Sequence, residues 1–358
     1  MTPKRRILPV FIPHAGCEHD CVFCNQRKIT GKENEMQGID KAILSDGADE
    51  PHRRFPVDYD DVIEHLLRLK SLKLVSLPAE IAFYGGSFTA LPSWRQEELL
   101  EAVQPFLERN PHNSIRLSTR PDCVDDETIA RLIRYGVATV ELGAQSMCDD
   151  VLIKSRRGHT AADVAHASKR LKDAGLTLIL QMMTGLPGDT RHRSIDTAKR
   201  FLELAPDGVR IYPTVVVMDT QLYNMWLSGV YTAQSIDEAI ELCAELIELF
   251  AEANIPVIRL GLNPSESLSA GNAVAGAYHP AFGELVYSKV YYNHAVRLLS
   301  GIKQGSNITL SVDRGCVSKM MGQHRSNISA LKEEFALGSL KVTESTLLMG
   351  ELIRLQEV

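Results

Sequence analysis

Residues 16–26 read GCEHDCVFCNQ, which sets Cys17, Cys21 and Cys24 in the spacing C-x3-C-x2-C. They follow the short apolar run ILPVFI (7–12), a pattern that predicts a buried strand. Three free thiols on a polar turn would invite oxidation to no purpose. Structural zinc takes four tetrahedral ligands. His14 or His19 could supply the fourth, but the chain holds no second C-x2-C pair. Thiolates also hold iron–sulfur clusters, normally one per iron. Three of them on a cluster of four irons leave one iron open to another ligand. The spacing by itself leaves zinc and the cluster both standing.

Outward from this stretch, apolar β-rich runs alternate with amphipathic ones. EIAFYG (80–85), SIRLST (114–119), TVELGA (139–144), LTLILQMM (176–183) and GVRIYPTV (208–215) read as further strands. Patterns such as DDVIEHLLRLKSL (60–72), DETIARLIRYG (126–136) and TAADVAHASKRLKDAG (160–175) repeat Leu, Ile and Ala at helical spacing. Alternation of this kind predicts right-handed βαβ units and a parallel sheet. Six units fall short of an eight-fold barrel and predict an α/β partial (β/α)6 TIM-like barrel. Its chemistry then lies at the C-terminal ends of the strands, where the three cysteines stand.

The 358 residues are 44% hydrophobic and 23% charged, the composition of a globular protein. A net charge of −6 argues against nucleic-acid binding by the molecule as a whole. No apolar run reaches the ~18 residues of a membrane helix, and the N-terminus lacks a signal-peptide pattern. The remaining cysteines, Cys123, Cys148, Cys243 and Cys316, form no disulfide framework. A cytoplasmic location without a membrane partner is the expectation.

A long helical pattern covers 235–256, IPVIRLG follows, and the texture changes after Gly261. We place a boundary near 260, between a barrel (1–260) and a small α+β C-terminal accessory region (261–358). Between 285 and 332 stand seven basic residues and one acid, Asp313. Arg314, Lys319 and Arg325 at its turns, with Tyr287, Tyr291 and Tyr292 nearby, suit an RNA backbone and stacking. A solvated basic face is the plainer account. His279, between Gly276 and Pro280, is a candidate substrate contact on a loop.

The cysteine spacing after strand one, and the FYGGSFTALP (83–92) that ends strand two, resemble the radical S-adenosylmethionine superfamily. TRPD (119–122), ELGAQS (141–146), RRGHT (156–160), QMMTGLPGDT (181–190) and RIYPTVVVMDTQLYNMW (210–226) resemble its Elongator branch. That branch is the catalytic subunit of the enzyme that modifies the tRNA wobble uridine. The resemblance covers about residues 7–260. It implies a 4Fe–4S cluster on Cys17, Cys21 and Cys24 and S-adenosylmethionine on the open iron. Gly85, Gly86 and Ser87 would meet the methionine amino group, Ser118 and Gln145 the ribose, and Arg157 the methionine carboxylate. Arg120 joins the same cofactor site. Met183, Gly185 and the backbone at Pro213 and Thr214 would line the adenine. The implied chemistry is one-electron cleavage of S-adenosylmethionine to a 5′-deoxyadenosyl radical. RNA, in particular tRNA, is the implied substrate, and a ferredoxin or flavodoxin the electron donor. The catalytic group on the substrate side is not identified. No acetyl-CoA signature stands in the last hundred or so residues, so the expectation is a short bacterial-type relative without the acetyltransferase domain. Alternatives are a radical enzyme on a small metabolite such as a tetrapyrrole, as in coproporphyrinogen oxidase, and a non-catalytic, metal-stabilised RNA-binding protein.

Overall fold

The computed structural model describes residues 6–12, 20–24, 79–108, 110–262, 271–345 and 352–357. The chain divides into two units, Met1–Gln234 with Ala253–Tyr278, and Ser235–Glu252 with His279–Val358. Cys17 and the helical pattern at 60–72 lie outside the described residues.

The first unit is built on seven strands: β1 (Arg6–Phe11), β2 (Ala79–Tyr84), β3 (Ser114–Thr119), β4 (Val137–Gln145), β5 (Thr177–Thr184), β6 (Gly208–Pro213) and β8 (Val257–Leu260). They pair in the order β1-β2-β3-β4-β5-β6-β8, every neighbouring pair parallel. This is the curled partial barrel that the sequence predicts, with a seventh strand from IPVIRLG. Two further strands, β7 (Val215–Val217) and β9 (Ala273–Gly276), form a separate antiparallel pair.

Side chains alternate across a strand, so each strand presents two faces. One face is aliphatic and aromatic: Phe83, Leu117, Val140, Leu142, Leu180 and Ile211 are all fully buried. The crossover helices cover this face, and their start signals are local. Asp125 accepts from the Thr128 N–H at 2.7 Å to open Asp126–Arg134. Thr160 and Asp163 form a reciprocal capping box on Ala161–Asp173. Thr190 accepts from the Arg193 N–H at the start of Arg191–Leu204. The opposite face of the sheet is polar, and the candidate site grows from it.

In the second unit a three-stranded sheet runs β11 (Ser339–Ser345), β10 (Asn307–Asp313), β12 (Ile353–Glu357). Helices Phe282–Leu299, Val317–Met321 and Ser326–Glu334 belong to the same unit. Ile308, Leu310, Val312, Leu340 and Ile353 from the strands pack with Tyr291, Leu299, Met320, Ile328 and Leu331 from the helices.

Leu142→Ala empties a fully enclosed position on the helix-facing side of β4. It should lower unfolding free energy by about 3 kcal/mol, read as a lower urea midpoint with an unchanged slope.

Candidate active site

The polar face of the sheet carries a layer of buried charge. Glu141 on β4 has no solvent exposure. Its Oε1 accepts from Tyr84 Oη at 2.9 Å, Arg116 Nη1 at 2.8 Å and Arg210 Nη2 at 2.6 Å, and its Oε2 accepts from Gln181 Nε2 at 2.9 Å. Arg116 also donates through Nε to Glu80 at 2.8 Å. Five strands, β2 to β6, are tied through these groups. Burial raises the Tyr84 hydroxyl pKa, and Glu141 beside it adds to the rise. Burial alone would lower the Arg210 pKa, but Glu141, Tyr212 and Tyr84 together more than offset this and the net shift is upward. Arg259 on β8 stands opposite Arg210 in the register, and burial lowers its pKa. The sequence reading holds Glu141 only as part of the motif ELGAQS (141–146). The structure makes it the hub of the sheet interior, and Tyr84, Arg116, Gln181 and Arg210 were not singled out.

Above this layer, at the strand ends, sits the cysteine turn. The Cys24 N–H donates to the Cys21 carbonyl at 3.0 Å, closing a turn. The Val22 N–H donates to the Ser155 carbonyl at 3.2 Å, and the Val22 carbonyl accepts from the Leu222 N–H at 2.7 Å. Val22 is buried with Val216, Leu222 and Tyr231, and Phe23 packs against the same cluster. The run RIYPTVVVMDTQLYNMW thus has a structural task beyond the expected adenine contact: it anchors the peptide that carries Cys21 and Cys24.

Arg157 reaches this turn. Its Nη1 donates to Cys21 Sγ at 3.2 Å and its Nη2 to the Gly143 carbonyl at 2.7 Å, while its buried Nε has no partner among the described residues. A Cβ on Gly143 would fall 3.0 Å from Gln145 Nε2 and 3.3 Å from Arg157 Nη2, so a side chain there would press on both groups. Gln145 ends the strand at φ +64° and is buried. Arg120 donates from Nε and Nη2 to Asp122, both at 2.9 Å, and from Nη2 to the Arg157 carbonyl. The Ser87 hydroxyl accepts from the Arg120 N–H at 3.2 Å and meets the Thr119 hydroxyl at 2.9 Å. Ser87, Arg120, Gln145, Arg157 and Cys21 are therefore brought to one end of the sheet.

The other expected residues lie on neighbouring strands with mixed availability. Ser118 and Met183 are half-buried on β3 and β5, and Pro213 closes β6. Gly85 has φ +96°, and a Cβ there would strike the Ile12 carbonyl oxygen at 2.8 Å, so close passage of strand ends explains the glycine; Gly86 follows it, half-buried. Gly185 donates its N–H to Asp189 at 2.8 Å and accepts from Tyr231 Oη at 2.6 Å. Thr214 is buried, and both its N–H and its hydroxyl donate to the Thr184 carbonyl. Its side chain is occupied within the fold.

The donor set suits an iron–sulfur cluster. Cys21 and Cys24 present soft thiol ligands on a closed turn, with a guanidinium at hand to offset thiolate charge. Among the described residues no three His, Cys, Asp or Glu side chains converge, Cys17 being outside them. The second unit is a separate matter. There His279 Nδ1 accepts from the Ala281 N–H at 3.0 Å, shaping the turn before a helix. Tyr291 lies in the core and cannot stack on a base, and Lys289 and Arg297 are paired with Glu241 and Glu248. Arg314 and Arg325 are exposed and Lys319 half-buried.

His159 is buried next to these groups, its Nε2 3.1 Å from the Ala144 carbonyl and its Nδ1 unpartnered among the described residues. Burial, with the nearby Arg157 charge, pushes its pKa down to about 4 from 6.5. Between those values the unfolded chain binds the extra proton. The contribution is therefore complete above pH 6.5 and shrinks as pH falls toward 4, by about 3 kcal/mol in all. Unfolding at stepped pH should show a steeper acid loss in the native chain than in His159→Gln. Glu141→Ala, which leaves Arg116 and Arg210 facing a vacancy, should cost about 3–5 kcal/mol in the same measurement at pH 7.

Comparison with known proteins agrees with this geometry. The chain is 27% identical over 305 residues to a tRNA uridine(34) acetyltransferase of Methanocaldococcus infernus, covering 78% of this chain and 55% of that protein. It is 30% identical over 214 residues to mouse Elongator complex protein 3, covering 53% and 39%. The chain thus spans about half the length, or less, of these relatives. Among solved structures, the archaeal Elp3 of M. infernus superposes with a TM-score of 0.55 at 26% identity, covering 66% of this chain and 59% of that one. Coproporphyrinogen III oxidase of Escherichia coli superposes at 0.50 with 17% identity, covering 70% and 54%, a likeness of fold. Residues 206–292 match the radical SAM C-terminal domain. Residues 11–201 match the radical SAM superfamily, and the chain belongs to that family.

Proposed function

We propose that this enzyme reductively cleaves S-adenosylmethionine at a 4Fe–4S cluster held by Cys17, Cys21 and Cys24, and that its substrate is RNA, tRNA in particular. The observation that carries the substrate class is the likeness to tRNA uridine(34) acetyltransferase across 78% of the chain. When bound, the cluster and S-adenosylmethionine supply a 5′-deoxyadenosyl radical able to take hydrogen from a strong C–H bond; the hard chemistry belongs to the cofactor.

The chain's own groups bind and orient. Arg157 stands between the cysteine turn and the end of β4, with one guanidinium nitrogen unpartnered among the described residues. A guanidinium pairs well with a carboxylate in two-point fashion, which suits the methionine end of the cofactor. Gln145 and Ser118 stand on β4 and β3 for the ribose. Ser87, fixed by Arg120 and Thr119, holds the β2 end in place beside them. The Glu141 layer lies deeper and fills the sheet interior with a fixed polar network. Such a floor needs no reorganisation during reaction. The electron would come from a low-potential donor such as a ferredoxin or flavodoxin. A cytoplasmic setting fits a tRNA substrate, and no helix among the described residues is long and apolar enough to cross a membrane.

Reconstituted with iron and sulfide without oxygen, reduced and given S-adenosylmethionine, the native chain should release 5′-deoxyadenosine. The Cys17→Ala, Cys21→Ala, Cys24→Ala variant should release none. Arg157→Ala should raise the S-adenosylmethionine requirement at least tenfold. Equal product from the triple variant would overturn the cluster assignment.

A further inference from the structure

The second unit contains a β-helix-turn-helix-β module that the radical chemistry does not use. β10 runs into the helix Val317–Met321, a short turn, the helix Ser326–Glu334 and then β11, which pairs parallel to β10. β12 adds antiparallel on the other side of β10, so β11 is an edge strand. All the large apolar residues of these elements point into one core beneath the helices.

The turn itself reads Gly322-Gln323-His324-Arg325. The Gly322 N–H closes the first helix on the Ser318 carbonyl at 3.0 Å, and the Arg325 N–H returns to the Gly322 carbonyl at 3.2 Å. Gly322 has φ +72°, and a Cβ there would lie 2.5 Å from Ser326 Oγ and 3.0 Å from the Asn327 side chain. From beneath, Asn327 Nδ2 donates to the Ser288 carbonyl at 2.9 Å and to the Met320 carbonyl at 3.2 Å. Buried Asn327 thus pins both helices of the module to a third. The upper side of the turn is the reverse: Gln323, His324, Arg325 and Ser326 are all exposed.

His324 and Arg325 sit at φ +51° and +63°. Left-handed backbone is unfavourable at a non-glycine residue, so the turn keeps two basic side chains where glycine would be easier. Arg314 and Lys319 stand in the same module, at the end of β10 and in the first helix; Lys319 Nζ lies 4.9 Å from the Tyr287 ring centroid. Among the described residues no carboxylate pairs with Arg314, Lys319 or Arg325. The acids of the module are Asp313, Glu333, Glu334 and Glu344; Glu334 accepts from Tyr292 Oη at 2.6 Å and Glu344 from the Gly315 N–H at 3.0 Å.

We propose that this module grips the sugar–phosphate backbone of a single RNA strand, with the Gly322–Arg325 turn as the clamp. A glycine-bearing turn between two helices, beside the strand that follows, is the device with which KH domains hold about four unpaired nucleotides. Here the fourth turn position is Arg325 in place of glycine, which adds a phosphate contact to the backbone clamp. The inference rests on RNA as substrate, and it names unpaired nucleotides as the part held by this unit.

The test uses the full chain and a fluorescein-labelled ten-nucleotide RNA of mixed sequence, read by anisotropy. The same sequence as a duplex, and a whole tRNA, serve as competitors. Replacing His324→Gly and Arg325→Gly together removes the imidazole and the Arg325 charge while easing the backbone, so the variant keeps its thermal midpoint. The proposal expects the single strand to bind at least tenfold more tightly than the duplex, and the double variant to lose at least tenfold. It also expects the salt dependence to fall by about 0.7 in log–log slope for the lost Arg325 contact. Unchanged single-strand binding in the variant, or a duplex bound as tightly, overturns the clamp. If the native chain then still binds tRNA, RNA as substrate stands and only the clamp is lost. If the native chain binds neither tRNA nor the oligonucleotide, both fall.

Discussion

Glu141 is a carboxylate with no access to water, in the middle of a parallel sheet. A charge so placed is tolerable only when donors surround it. Four donors do so, from β2, β3, β5 and β6. The requirement is geometric as well as electrostatic. Each donor must keep its strand's register, because a slip by one residue would turn Tyr84, Arg116, Gln181 or Arg210 to the aliphatic face. The layer therefore sets the relative heights of the strand ends, and Ser87, Arg120, Gln145 and Arg157 are gathered at those ends.

A second constraint fixes the cysteine turn. Cys21 and Cys24 sit on a peptide with little regular structure of its own. Val22 and Phe23 bury it against Val216 and Leu222, and two backbone hydrogen bonds stitch it to residues 155 and 222. Arg157 then bridges Cys21 and β4. Residues more than a hundred positions apart in sequence are thereby held within hydrogen-bond distance. A site assembled from strand ends and one anchored turn is held by packing and hydrogen bonds on elements distant in sequence.

Much of this was legible in the sequence. The alternation of strands with capped helices follows from local pattern, since Asp125, Thr160 and Thr190 all act where a helix start was readable. Cys21, Arg157, Gln145 and Ser87 were recognisable through their motifs, and the structure gathers them at one end of the sheet. The seventh strand was not counted, because four residues, Val257–Leu260, carry too short a pattern to separate from loop. The Glu141 layer was missed for a different reason. Each member is a single polar residue inside an aliphatic strand, and only their coincidence across five strands gives them meaning. The available signal was a charged or polar residue at the centre of strands that a parallel sheet normally keeps apolar on both faces. Tyr291 shows the converse error. Proximity to basic residues suggested stacking, whereas helical spacing put it in the core.

The central claim is that three cysteines carry a cluster with one iron left for S-adenosylmethionine. The most direct measurement is the paramagnetic resonance spectrum of the anaerobically reconstituted, reduced protein, with and without S-adenosylmethionine, alongside iron, sulfide and zinc content. The account predicts about four iron and four sulfide per chain, and a signal whose g values move when S-adenosylmethionine is added. Zinc in place of iron, or a cluster signal that S-adenosylmethionine leaves unmoved, would contradict it.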